Sequence, residues 1–252
     1  MLGFNGGLMG VRRTPTTGAA SGLWFQNEQS VAKRAAIWPT TGDLYWSDVS
    51  LLLHMDGSNG STTFTDSSSN AFTITASGNA QISTDSPKFG TGSLTLDGNG
   101  DYLSTPADAK FALGTGDYTV ECWVYVNSGN TNDGLFTFGS ESEGLAVAIV
   151  NGQWTLNFSG SSGLDLGAVT TGAWQHLAVT RSGSSARMFI DGTQLGSTLS
   201  NSTNHSTNQL RIGYYYTTSF AINAKIDEFR VTKGVARYTA NFTAPTAAFP
   251  DA

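Results

Sequence analysis

Between Thr115 and Val126 the chain alternates with a period of two. Tyr118, Val120, Cys122, Val124 and Val126 fall on one face, and Thr119, Glu121, Trp123 and Tyr125 on the other. A helix cannot use that pattern, because its same-face neighbours lie three and four residues apart. The second face is also apolar enough to be covered, which places this strand inside a layered structure. Segments 93–96, 102–104, 154–158, 174–181, 187–190, 210–216 and 226–231 read as further short strands, punctuated by Gly, Asn and Asp. Asp191-Gly192 is a hairpin signal. Many short strands without a convincing helix predict an all-β antiparallel sandwich across residues 43–252.

Composition supports the same class. The chain holds 32 Thr, 28 Ser and 30 Gly, together 90 of 252 residues, and only 13% of it is charged. Coiled coils and helical bundles need the opposite bias. Apolar residues at 39% and aromatics at 11% supply a core and exclude a disordered chain. No apolar run reaches the ~18 residues of a transmembrane helix, so no membrane insertion is expected. The lone Cys122 permits no internal disulfide.

Residues 1–42 differ. They are Gly- and Thr-rich at the start and carry Arg12, Arg13, Lys33 and Arg34 against Glu28, a net charge of +3. Residues 43–252 carry nine basic and 18 acidic groups, a net of −9, which repels nucleic acid and anionic membrane. The first segment therefore reads as an extended N-terminal arm with one short helix, capped by Asn27 and stopped by Pro39. Ordering such an arm costs roughly 1–2 kcal/mol per residue, so it must be held by a partner. Phe4, Leu8, Met9, Arg12, Arg13, Trp24, Phe25 and Trp38 are the candidate contacts. No apolar stretch of signal-peptide length follows the two arginines, which predicts synthesis in a host cytoplasm without such a signal.

Several segments together resemble a known family. Gly92-Ser93-Leu94-Thr95-Leu96-Asp97-Gly98 with Asp101-Tyr102-Leu103 is similar to an early hairpin of laminin-G-like, concanavalin A-like jelly rolls. Residues 117–124 resemble their central strand, and Trp174-Gln175-His176-Leu177-Ala178-Val179-Thr180-Arg181 with Met188-Phe189-Ile190-Asp191-Gly192 their most recognisable strand pair. Residues 226–231 and 236–242 resemble the version found in bacteriophage virion proteins, cyanophages among them. Trp24, Glu28-Gln29 and Trp38-Pro39 are similar to a short leader that precedes such domains. The resemblance implies a jelly roll over about residues 49–250, and many unrelated sites occur on that fold.

Catalytic patterns are weak. Glu141-Ser142-Glu143 puts two carboxylates on one strand face, but Leu145 and Ala146 stand where a third acid belongs. Asp227 and Glu228 are adjacent and would point to opposite faces. His54, His176 and His205 show no metal-ligand spacing, and no serine sits in a nucleophile elbow. No enzyme is expected. Asp97, Asn99, Asp101 and Asp108 fall at positions 1, 3, 5 and 12 of an EF-hand-like spacing, with Tyr102 where that loop needs Gly. Asp97, Asn99 and Asp101 thus form a candidate calcium site, competing with a plain glycine-rich hairpin. Trp154, Tyr214, Tyr215 and Tyr216 form a candidate sugar-stacking platform.

These features lead to a non-enzymatic bacteriophage virion structural protein, a capsid decoration (cement) protein anchored by its arm. The alternative is a tail or head fibre protein whose lectin-like domain binds host-surface glycans. Either reading takes phage capsid or tail proteins as partners and a virion-surface location. Analogy with such proteins implies a homo-oligomer, a trimer foremost.

Overall fold

The computed structural model describes residues 42–128, 132–139, 144–158, 164–215 and 220–252. The arm contacts Phe4 to Trp38 and its expected helix, and the Glu141–Glu143 pair, lie outside these described residues. Residues 42–46 with 250–252 belong to one compact unit, in which the Asp43 N–H donates to the Asp251 carbonyl at 3.0 Å. Ser47–Phe249 form the other.

Period-two alternation builds fifteen strands in that second unit, and helix among the described residues is limited to two 3-10 turns. The strands are β1 (Val49–Leu53), β2 (Thr75–Ser77), β3 (Gln81–Ser83), β4 (Ser93–Asp97) and β5 (Tyr102–Ser104). Then follow β6 (Tyr118–Ser128), β7 (Asn132–Phe138), β8 (Leu145–Val150), β9 (Gln153–Phe158) and β10 (Leu164–Ala168). The last are β11 (Trp174–Ser182), β12 (Ser185–Ile190), β13 (Thr193–Ser200), β14 (Leu210–Ile212) and β15 (Asn223–Lys233).

They form two antiparallel sheets. One runs β13-β12-β11-β6-β15-β4-β3, with β1 pairing the second half of β15 beyond the stretch that pairs β4. The other runs β10-β9-β8-β7-β14-β5-β2. Between them Tyr118, Val120, Cys122, Val124 and Val126 of β6 meet the inward residues of the seven-stranded sheet, among them Phe136, Phe138, Val147, Trp154 and Leu156. Phe136 and Phe229 meet edge to face across this core, 5.7 Å between centroids. The architecture is the all-β sandwich that the alternation predicts, and it is consistent with a concanavalin A-like jelly roll.

Two local expectations are corrected. β4 and β5 do not form a hairpin, because they lie in different sheets. The glycine-rich segment between them is a crossing, and so is the short connection from β2 to β3 beside it. Gly98 and Gly100 take φ of +85° and +81°, which lets the chain turn out of one sheet within four residues. The second correction concerns residues 210–216, whose strand ends at Ile212. Gly213 there adopts φ +87° and donates its N–H to the Leu135 carbonyl at 2.7 Å.

Candidate functional site

A sandwich offers two outer faces, and here they differ. On the eight-stranded sheet, Thr119, Glu121, His176, Thr180, Asp227 and Thr232 all point away from the core, yet each is fully buried. The chain after β15 folds back over them. The Thr119 hydroxyl donates to the Val235 carbonyl at 3.0 Å, and Thr180 to that of Tyr238 at 2.8 Å. Tyr238 and Phe242 stack at 3.6 Å between centroids, and the imidazole of His176 meets both edge-on.

Beneath this cover lies an ionic cluster. Arg230 donates to Glu121 Oε1 from Nη2 at 2.8 Å and from Nε at 3.0 Å, and the Tyr238 hydroxyl donates to Oε2 at 2.9 Å. His176 Nε2 stands 3.3 Å from Oε2 and Arg237 Nε 3.8 Å from Oε1. Burial alone would raise the Glu121 carboxyl. Arg230, with His176 and Arg237, overrides burial and holds it well below the usual carboxylate range. The far end of the same face is covered by residues 85–91. Lys88 Nζ lies 3.8 Å over the Trp123 ring, and Asp227 Oδ2 accepts the N–H groups of Lys88 and Phe89 at 2.9 and 3.0 Å. Over β6, β11 and β15 this face is packed with the chain's own residues.

The seven-stranded sheet presents a different outer surface. Because Leu103, Leu210, Ile212, Phe136 and Phe138 point inward, Tyr102, Ser104, Arg211 and Thr137 must point outward. The registers align Thr75, Ser104, Arg211, Thr137, Ala146 and Asn157 in one row across six strands. Arg211 lies 5.1 Å from the Tyr214 ring centroid, and the rings of Tyr102 and Tyr214 are 5.1 Å apart at 60°. Asn157 Nδ2 donates to the Tyr215 hydroxyl at 2.9 Å. Tyr102, Ser104, Arg211, Tyr214 and Tyr215 are half-exposed and Thr75 is exposed. Thr137, Ala146 and Asn157 of the same row are buried, so the accessible part is the tilted aromatic rings, the Ser104 and Thr75 hydroxyls and the guanidinium, which can stack on sugar rings and hold their hydroxyls.

The sequence-predicted platform is therefore brought together only in part. Tyr214 and Tyr215 sit at the edge of this face, and Tyr216 lies outside the described residues. Trp154 does not belong, because it points into the core and is 0% exposed. Its strand neighbours Thr155 and Asn157 take the outward positions, as period two requires. Tyr102, Ser104, Thr137 and Arg211 were not singled out from sequence. The signal was present in their alternation with Leu103, Phe136, Phe138, Leu210 and Ile212.

At the candidate calcium residues Asp97, Asn99 and Asp101 the carboxylates are engaged within the chain. Asp101 is buried, and its carboxylate accepts the N–H of Asn79 at 2.8 Å and of Asp97 at 3.1 Å. Asp97 accepts from the Asn79 amide and the Asn99 N–H at 2.9 and 2.8 Å. Asp108 instead caps the 3-10 turn Ala109–Phe111, accepting the Lys110 N–H at 2.8 Å. Asp97 and Asp101 thus pin the two crossings between sheets. Among the described residues no group of three or more His, Cys, Asp or Glu is arranged to hold a metal ion. Asp227 and Glu228 are likewise bonded within the chain. Glu228 sits in a bulge of β15 at φ +51°, accepting the Phe249 N–H at 2.8 Å beside His54 Nδ1 at 2.9 Å.

Residues 97–237 match the family described as the Concanavalin A-like lectin/glucanases superfamily. No curated protein matches the sequence. Among solved structures, domain 4 of the extracellular arabinanase AbnA from Geobacillus stearothermophilus, in complex with arabinotriose, superposes with TM-score 0.58 at 20% identity. That match covers 75% of this chain and 94% of that one. The binding domain of Paraclostridial Mosquitocidal Protein 1 gives TM-score 0.57 at 12% identity over 76% of this chain and 50% of that one. A Trypanosoma rangeli sialidase in complex with sialic acid gives 0.57 at 14% identity over 80% and 33%. This chain therefore spans half or less of the latter two, and at these identities the likeness is one of fold.

Proposed function

The chain belongs to the Concanavalin A-like lectin/glucanases superfamily, and on that premise we propose a non-enzymatic glycan-binding protein of a bacteriophage virion surface. The sandwich is the displayed, sugar-reading part, and residues 1–42 fasten it to capsid or tail proteins. The observation that carries the glycan reading is the contrast between the two outer faces. Over its central strands one is covered by the chain's own tail, whereas the other, buried at Thr137, Ala146 and Asn157, leaves Tyr102, Ser104, Arg211 and Tyr214 half-exposed along β5 and β14. Solved neighbours in complex with arabinotriose or sialic acid are in keeping with it.

The phage setting rests on the resemblance of residues 226–231 and 236–242 and of the Trp24 to Pro39 leader. An arm-anchored sandwich suits a capsid decoration protein, and the half-exposed Tyr102, Arg211 and Tyr214 suit a fibre-type receptor binder. Both are surface roles of one arm-anchored module, and copies repeated on a symmetric particle would add avidity. Deleting residues 2–42 should leave a folded sandwich that no longer attaches to particles. Continued attachment of that truncation would overturn the anchoring role. A glycan array with the full chain tests the sugar reading, and a blank array would leave decoration alone. Copy number and immunogold position on purified virions separate shell from tail.

A further inference from the structure

We propose that Arg211 anchors a carboxylate-bearing sugar on the outer face of the seven-stranded sheet. This inference rests on the glycan-binding reading and names the ligand class for the same face.

The other arginines described in the sandwich are engaged. Arg181 donates to the carbonyls of Gly114, Gly116 and Thr203 at 2.6–2.9 Å. Arg230 is held by Glu121, Arg237 donates to the Thr232 hydroxyl, and Arg187 reaches the Ser185 carbonyl. Arg211, half-buried at the middle of the outer row, makes neither hydrogen bond nor ion pair among the described residues. Its contact is the Tyr214 ring at 5.1 Å. Directly opposite it on β7 stands Thr137, 0% exposed, whose hydroxyl has no hydrogen-bond partner among the described residues. A buried hydroxyl and a half-desolvated guanidinium side by side are both short of acceptors, and an unmet buried polar group is costly.

The row that holds them contains no acid, although residues 43–252 carry 18 acidic groups against nine basic ones. Arg211 is the row's one cation among the described residues, and in so acidic a body it suits one carboxylate while the surroundings repel a polyanion. The planar guanidinium fork matches the planar carboxylate with two parallel N–H···O bonds, a geometry a lysine cannot supply. The Tyr214 ring beside it, with the Tyr102 ring against that one, offers aromatic surface for the sugar ring.

The test is calorimetric titration of the full chain with galacturonic acid, its neutral methyl ester, sialyllactose, lactose and a sulfated lactose. We expect a carboxylate-bearing sugar to bind at least about tenfold tighter than its neutral counterpart, as charge-assisted pairing predicts. Arg211→Gln, checked for an unchanged melting temperature, should erase that preference, and Arg211→Lys should restore only part of it. Equal binding of acidic and neutral sugars, or a preference that survives Arg211→Gln, overturns the ligand class and leaves the glycan reading intact. Preference for the sulfated sugar over both carboxylates also overturns it. Absence of binding to every sugar overturns both readings.

Discussion

Glu121 and Arg230 face each other from adjacent strands β6 and β15, 2.8 Å apart, sealed beneath the chain's own C-terminal segment. Two charges can be kept there only because each satisfies the other and Tyr238 completes the carboxylate's partners. Through Tyr238 the same carboxylate ties the tail to the sheet and helps cover one of the sandwich's two outer faces.

Removing one partner leaves the other charge buried. Glu121→Ala should destabilise the fold by about 3–5 kcal/mol, read as a lower midpoint in urea. Because the folded carboxyl is held below its ordinary range, its contribution is present at neutral pH and lost as pH falls below that range.

Asp227 behaves oppositely. Burial pushes its carboxyl up to about 7, against the Phe89 and Lys88 N–H groups and with the Glu228 charge adding to the rise. A raised folded value favours the native state below the ordinary Asp range, and that advantage is lost as pH rises to about 7. Asp227→Asn should therefore stabilise the protein by about 2 kcal/mol at pH 8 and not at pH 4. Thermal melts of both proteins across that range check the sign.

The crossings between sheets depend on Asp101. Gly78 adopts φ +69°, and a Cβ there would collide with the Asp101 carboxylate. Gly78→Ala and Asp101→Ala should each lower stability by roughly 1–3 kcal/mol. Chelating calcium should leave the melting temperature unchanged, since the Asp97 and Asp101 oxygens are taken up by Asn79 and backbone N–H groups.

Trp154 and Tyr214 should separate cleanly by phenotype. Trp154→Ala empties a core position and should cost about 3–5 kcal/mol. Tyr214→Ala, on the half-exposed face, should weaken sugar binding while changing stability by less than about 1 kcal/mol.

The strand pattern was legible because alternation is local. Tyr118 to Val126 named both faces of the central strand, and both proved covered. Which sheet each strand joins is a long-range property, so the segment from Asp97 to Asp101 read as a hairpin although it is a crossing. The site was hidden for the same reason. Ser104, Arg211 and Thr137 lie 107 and 74 residues apart along the chain and become neighbours only through register. Trp154 misled because an aromatic side chain signals a core and a sugar platform equally well.

The most direct test of the account follows amide shifts in the full chain as an acidic sugar is added. Shifts concentrated at Tyr102, Ser104, Thr137, Arg211 and Tyr214 are the predicted result. Shifts confined to residues 85–91 or to the segment around Tyr238 and Phe242, or none with any sugar, would contradict it.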